Sequence, residues 1–170
     1  MDKKKLISFL IDARSNTYAG SGGKVKPAFP GLTQLEYQKG DWLYRDVYNL
    51  GNKIFMGLET VYLKSEPVWS MCYYGDFTKM TEKEIDKILR AALIKYKNKT
   101  RLWHKIEWKK ENFKYLCTPD FQVGIEKVAG LEEVYNSIQE IPDLIGDELN
   151  ADMSSFFKEG NPALWAGRMS

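Results

Sequence analysis

Apolar positions near the start of the chain recur at helical spacing. Leu6, Phe9, Leu10 and Ala13 share one face of residues 3–14, and Ile7 and Ile11 widen it. The next stretch, "AGSGGKVKPAFPG" (19–31), holds too much Gly and Pro to continue a helix or sit inside a central strand. The pattern then changes to runs rich in β-branched and aromatic residues: "LEYQKGDWLYRDVY" (35–48), "KIFMGLETVYL" (53–63) and "PVWSMCYY" (67–74). "NLGN" and "KSEP" separate them as turns, so this part of the chain predicts a three-stranded antiparallel meander. Thr81 followed by Glu84 is a capping box. It opens a second helix with Ile85, Ile88, Leu89, Ala92 and Tyr96 on one face.

Beyond that helix the pattern begins again. "YQKGDWLY" (37–44) aligns with "WKKENFKY" (108–115), "GLETV" (57–61) with "GIEKV" (124–128), and "VWS" (68–70) with "VYN" (134–136). The offset moves from 71 to 67 to 66, and each change falls in a turn. The expected architecture is α+β: a mostly antiparallel, curved sheet of about six strands, built from a duplicated helix-plus-three-strand unit with helices packed on it. Residues 1–170 would form a single compact domain with pseudo-repeat halves at about 3–76 and 82–137. A C-terminal helical tail, 138–170, would follow, with "GNPALW" (160–165) as a loop. The groove between such halves is a natural ligand site.

With 44% apolar and 14% aromatic residues, the composition is that of a folded, soluble protein. No apolar run approaches the roughly 18 residues of a membrane span. Asp12 and Arg14 interrupt the apolar run after the basic start, and no small-residue cleavage site follows, so it predicts a helix rather than a signal peptide. A cytoplasmic location is expected. Cys72 and Cys117 have no metal-ligand spacing; free thiols are the default there, and one disulfide is the alternative.

The net charge of +2 hides an asymmetry. Lys95–Lys114 carries eight basic residues against two acids, and Asp120–Glu159 carries ten acids against two lysines. Solvated faces, or faces that pair in a homo-oligomer, are the plainer reading. A nucleic-acid surface on 95–114, with Trp103 and Trp108 as stacking platforms, is the alternative.

Several chemistries lack their residues. "NTYAGSGGKVKP" (16–27) resembles a phosphate cradle, but a helix precedes it, no helix follows, and Lys24 is followed by Val25 rather than Ser or Thr. The chain has one histidine, His104, placed by alternation beside Leu102 and Ile106 on a strand, which suits a structural role better than a catalytic one. Zinc ligands are missing, so no metal or cofactor is expected.

The strongest candidate site lies on the meander. Trp42, Tyr44, Asp46 and Tyr48 have one parity along their strand, while Leu43, Arg45 and Val47 have the other. Folding the hairpin brings Glu59 beside Trp42 and Tyr44, and Glu126 would repeat this next to Phe113 and Tyr115. A buried carboxylate is costly unless paired. Glu59 is therefore either a structural acid held by a basic or tyrosine side chain, or a site for a cationic ligand among aromatic rings. A binding groove would comprise Tyr18, Trp42, Tyr44, Asp46, Glu59, Trp69 and Tyr73, with the glycine loop as its rim. Such a groove fits a non-enzymatic small-molecule-binding or regulatory module. A hydrolase-like enzyme using Asp46, Glu59 and Arg45 is a third possibility.

The segments "FLIDARSNTYAGSGG", "LEYQKGDWLYRDVY" and "FMGLETVYLKSEPVWSMCYYG" together resemble an uncharacterised bacterial family, domain of unknown function 5680. The resemblance is specific over about residues 6–76 and loose beyond Arg101. Members are often joined to helix-turn-helix DNA-binding domains, so the resemblance implies a sensing or regulatory module. It brings no catalytic residues with it.

Overall fold

The computed structural model describes residues 2–102, 104–119, 127–136 and 161–169. Among the described residues, two helices, α1 (Lys3–Asn16) and α2 (Glu82–Lys95), accompany nine strands. These are β1 (Lys24–Val25), β2 (Thr33–Lys39), β3 (Trp42–Gly51), β4 (Ile54–Leu63), β5 (Glu66–Asp76), β6 (Ile106–Lys110), β7 (Phe113–Pro119), β8 (Lys127–Asn136) and β9 (Asn161–Met169). All pairings are antiparallel, and the strand order is β1-β2-β3-β4-β5-β9-β8-β7-β6.

The helices form where the apolar spacing places them. Leu6, Phe9, Leu10 and Ala13 of α1 are buried, as are Ile85, Ile88, Leu89 and Ala92 of α2. The Asp2 carboxylate caps α1 by accepting from the Lys4 amide at 2.9 Å. Thr81 and Glu84 form both bonds of the expected capping box. Helix α1 packs over β2 and β3, and α2 packs over β7 and β8. The two stripes join one cluster of buried side chains with Tyr44, Val61, Trp69 and Met71 from the first strands and Tyr115, Cys117 and Val134 from the second group. Each buried aliphatic side chain there contributes roughly 1.5–3 kcal/mol.

The strand count corrects the expected six. "LEYQKGDWLYRDVY" is two strands, because Gly40 adopts φ +61 and turns the chain so that Lys39 pairs with Trp42. "WKKENFKY" turns in the same way at Glu111, φ +53, and Lys110 pairs with Phe113. The turns at Asn52-Lys53 and Lys64-Ser65 are equally tight, with positive φ at both central residues, and their twist matches that of the flanking strands.

The expected helical tail is also corrected. Its last part, including most of "GNPALW", is strand β9, which bridges β5 and β8 and joins the two groups of strands into one sheet. An isolated edge at β5 would leave a row of backbone donors and acceptors without partners. The rest of the tail, 138–160, lies outside the described residues. His104 precedes β6 and is exposed, so it does not take the strand position alternation assigns it. Both cysteines are free thiols: Cys72 is exposed on β5 and Cys117 is buried on β7. Among the described residues no helix is long and apolar enough to cross a membrane.

Candidate functional site

The floor of the site follows from strand register. On the helix-facing side, Tyr44, Val61 and Trp69 form one row across β3, β4 and β5. Asp46, Glu59 and Met71 form the next, and Tyr48, Gly57 and Tyr73 the one after. Gly57 is required by packing: a Cβ there would stand 2.4 Å from the Tyr73 ring and 2.8 Å from the Tyr48 Cβ. Without a side chain at 57, the Tyr73 ring lies over β4. Its hydroxyl then reaches across to β3 and donates to Asp46 Oδ1 at 2.7 Å. Gly57→Ala is expected to displace that ring, cost about 1–3 kcal/mol by overpacking and break the Tyr73–Asp46 bond. Thermal unfolding measures the first effect, and the ultraviolet difference spectrum of the buried tyrosines the second.

Glu59 is 2% exposed, and two arginines hold it. Arg14 Nε, from the last turn of α1, donates to Glu59 Oε2 at 2.8 Å. Arg101 Nη1 lies 3.6 Å from the other oxygen. Arg14 also lies over the Trp69 ring, 5.6 Å from its centroid. Arg101 in turn donates twice to Glu132 Oε2, at 2.8 and 2.6 Å, and Tyr115 donates to Oε1. Burial works against the Arg101 charge, but Glu132 and Glu59 outweigh it and hold the guanidinium pKa well above its ordinary value. Of the two readings of Glu59, the structural pairing is present.

Asp46 has no such partner. It is 3% exposed and directly opposite Glu59. Desolvation, with the Glu59 charge next in importance, pushes its pKa from 3.8 up to about 7, against the opposing effects of the Tyr73 hydroxyl and the two arginines. Burial also raises the Tyr44 and Tyr73 phenols well above 10, so both remain protonated at neutral pH. The site therefore sets three buried carboxyl groups, Asp46, Glu59 and Glu132, against two arginines, the part-buried Arg14 and the buried Arg101.

A cavity of about 170 Å³ lies over this floor, between the end of α1 and the near side of α2. An engineered protein cavity of about 150 Å³ holds benzene, so the volume suits a body of one ring. Leu50, Phe55 and Phe77 line one end, and Ile85, Leu89 and Leu93 of α2 form the facing wall. The rim is Tyr18, whose hydroxyl donates to Asp86 Oδ1 at 2.5 Å. Arg90 pairs with Asp86 at 2.9 Å and lies over the Tyr18 ring, 4.1 Å from its centroid. The glycines behind Tyr18 are required by a tight wrap around the end of α1. A Cβ on Gly20 would stand 2.1 Å from the Ser15 carbonyl oxygen, and the Gly22 amide donates to the Thr17 carbonyl at 3.0 Å.

Of the seven residues singled out from sequence, Tyr18, Tyr44, Asp46, Glu59 and Tyr73 line this one cavity. Trp42 and Trp69 do not. Trp42 packs against Phe9 at 5.3 Å, and Trp69 is 1% exposed beneath α1. Arg45 lies on the opposite face of the sheet, bonded to Glu36 at 2.7 Å and stacked over Tyr62, so it does not join the carboxylates. On the basic stretch, Lys95 and Lys110 lie over Trp108, and Trp103 is outside the described residues. Among the described residues, no three His, Cys, Asp or Glu side chains are disposed to hold a metal ion.

Arg14, Arg101, Asp86 and Arg90 were missed by sequence reasoning. Arg101 sits in a turn with φ +53, so no periodicity points to it. Glu132 left a signal that was misassigned. Val61 pairs with Tyr44 and Val134 with Tyr115, so the register counterpart of "GLETV" (57–61) is "GLEEV" (130–134). "GIEKV" (124–128) does not occupy that place, and Glu126 lies outside the described residues.

Fold and site together define an α+β chain that encloses an aromatic cavity with an acid at its floor. Residues 46–145 match the family described as Domain of unknown function (DUF5680), and the chain belongs to it. The match extends through α2 and the second group of strands, well past Arg101. No curated protein and no solved structure matches the chain.

Proposed function

We propose that this chain is a non-enzymatic small-molecule-binding module of the sensor or regulatory type, and that its cavity takes a small organic cation. One observation carries the reading: the charge balance beneath the cavity. Arg14 and Arg101 compensate Glu59 and Glu132, which leaves Asp46 as a surplus acid facing an aromatic space. A ligand cation supplies the missing charge, and rings such as Tyr18, Tyr48 and Phe55 suit its apolar body. The hydrolase-like alternative needs Asp46 and Glu59 to act as a pair, and Glu59 is engaged by both arginines.

The same reading takes the chain as a duplicated unit whose curved sheet places the cavity near the junction of its halves. Support comes from the equal helix lengths, from "GLETV" and "GLEEV" at one register position, and from Tyr–Glu–Arg groupings in both halves. A protein partner would read the occupied state.

A thermal-shift panel of small monoamines, quaternary ammonium ions and guanidines tests the proposal. A binding compound at about 100 times its Kd is expected to raise Tm by roughly 5–10 °C. Matched neutral isosteres should shift it less. The absence of any cation-selective shift at millimolar concentrations would rule the reading out.

A further inference from the structure

We infer that Asp46, not Glu59, is the carboxylate that recognises the ligand, and that the cavity takes up a small ammonium ion bearing N–H groups in exchange for a proton. This inference rests on the proposed binding function and specifies its chemistry.

The second half of the sheet supplies an internal comparison. Glu132 occupies the register position of Glu59, opposite β7 as Glu59 is opposite β3. Both glutamates are buried and bonded to arginine, and a tyrosine lies two positions along the facing strand in each case, Tyr44 or Tyr115. The residue directly opposite differs: Glu59 faces Asp46, and Glu132 faces Cys117, a neutral thiol whose pKa burial raises further. The glutamate–arginine grouping is thus assembled in the second half without an acid opposite. Asp46 is an addition to that grouping, and it lines the cavity.

The groups around Asp46 leave its charge uncompensated. From β4 it faces Glu59, and from β5 the Tyr73 hydroxyl. Arg14 from α1 and Arg101 from the turn after α2 are bound to the two glutamates. From α2, Asp86 and Arg90 pair with each other, and Glu82 is a further acid. Tyr18, Tyr44 and Tyr48 contribute neutral phenols. Below about pH 7 an acid in that setting keeps its proton until a cation arrives.

A carboxylate 3% exposed also needs hydrogen-bond donors, and the Tyr73 hydroxyl supplies one for its several lone pairs. An ammonium with N–H groups provides donors and charge together, whereas a quaternary ion provides charge alone. The exchange balances simply: the amine enters already protonated, Asp46 releases its proton to the buffer, and no covalent bond changes.

Isothermal titration of the full chain with benzylammonium, in buffers of different ionisation enthalpy, measures the protons released. With the Asp46 pKa at about 7, roughly 0.9 proton per ligand is expected near pH 6 and only about 0.1 near pH 8, where the amine is still protonated. The apparent affinity should rise about tenfold between pH 5 and 6 and level off above 7. Benzyl alcohol should bind without proton release, and benzyltrimethylammonium at least tenfold more weakly than benzylammonium. Asp46→Asn should keep the alcohol and lose benzylammonium by at least tenfold. Tyr73→Phe, which removes a donor to the carboxylate, should move the affinity midpoint to higher pH. Benzylammonium binding with no proton release near pH 6 overturns the exchange but leaves the cation-binding function standing. Binding of the alcohol alone overturns both the exchange and cation binding, and binding of neither probe removes the cavity itself from consideration.

Discussion

Arg101→Met is expected to lower folding stability by about 3–5 kcal/mol, the cost of removing one partner from a buried ion pair. Arg101 is 8% exposed and serves two acids, so the substitution strips Glu132 of both its arginine bonds and Glu59 of its second cation. Methionine fills much of the vacated volume, which separates loss of charge from cavity formation. Urea unfolding at neutral pH measures the loss. Arg45→Met is the control: its ion pair with Glu36 is a third exposed and contributes about 1 kcal/mol or less. Equal losses in the two variants would contradict the assignment of Arg101 as the bridge between the glutamates.

Asp46→Asn should act in the opposite direction and stabilise the unliganded chain in mild alkali. A rise from 3.8 to about 7 corresponds, at 1.36 kcal/mol per tenfold, to an ionisation cost on the order of 4 kcal/mol. The sign follows from the raised folded pKa. Below about pH 4 both folded and unfolded chains hold the proton and there is no penalty. Between about 4 and 7 the unfolded chain loses its proton while the folded chain keeps it, so stability falls with rising pH. Above 7 the full penalty is present. Asparagine resembles the protonated acid, retains an acceptor for Tyr73 and has nothing to ionise. Chemical unfolding at about pH 4 and pH 8.5 should show a small difference between variant and native chain at the first and a gain of several kcal/mol at the second. A site that sacrifices stability to hold an uncompensated acid is one where selection acts on something besides folding.

Local chemistry made much of this legible. Both helices and their buried faces follow from spacing, because a stripe of apolar residues at 3.6-residue period has only one way to reach a core. The capping box follows from two residues three apart. Strand parity correctly put Tyr44, Asp46 and Glu59 on one face, since successive side chains alternate without exception along a regular strand. Parity could not separate cavity from core: Trp42 and Trp69 share that face but lie beneath α1, whereas Tyr18 comes from another element altogether. The turn at Gly40 was hidden because flanking aromatic residues make an unbroken β-rich run. Strand β9 was hidden because a Gly/Asn/Pro start suggests a loop when the sheet edge it completes is unknown.

By itself, then, the sequence determined both helices, the β-rich character of the first strands and which of their side chains turn inward, because those properties depend on neighbours a few residues away. Only the tertiary structure decided the partners of the buried acids. Arg14 reaches Glu59 across 45 residues, and Arg101 reaches Glu132 across 31. Whether a buried carboxylate is a settled ion pair or an open site depends on which cations come within a few ångströms of it. That is set by how α1, α2 and the sheet pack together, and it separates Glu59 from Asp46 although the two lie side by side.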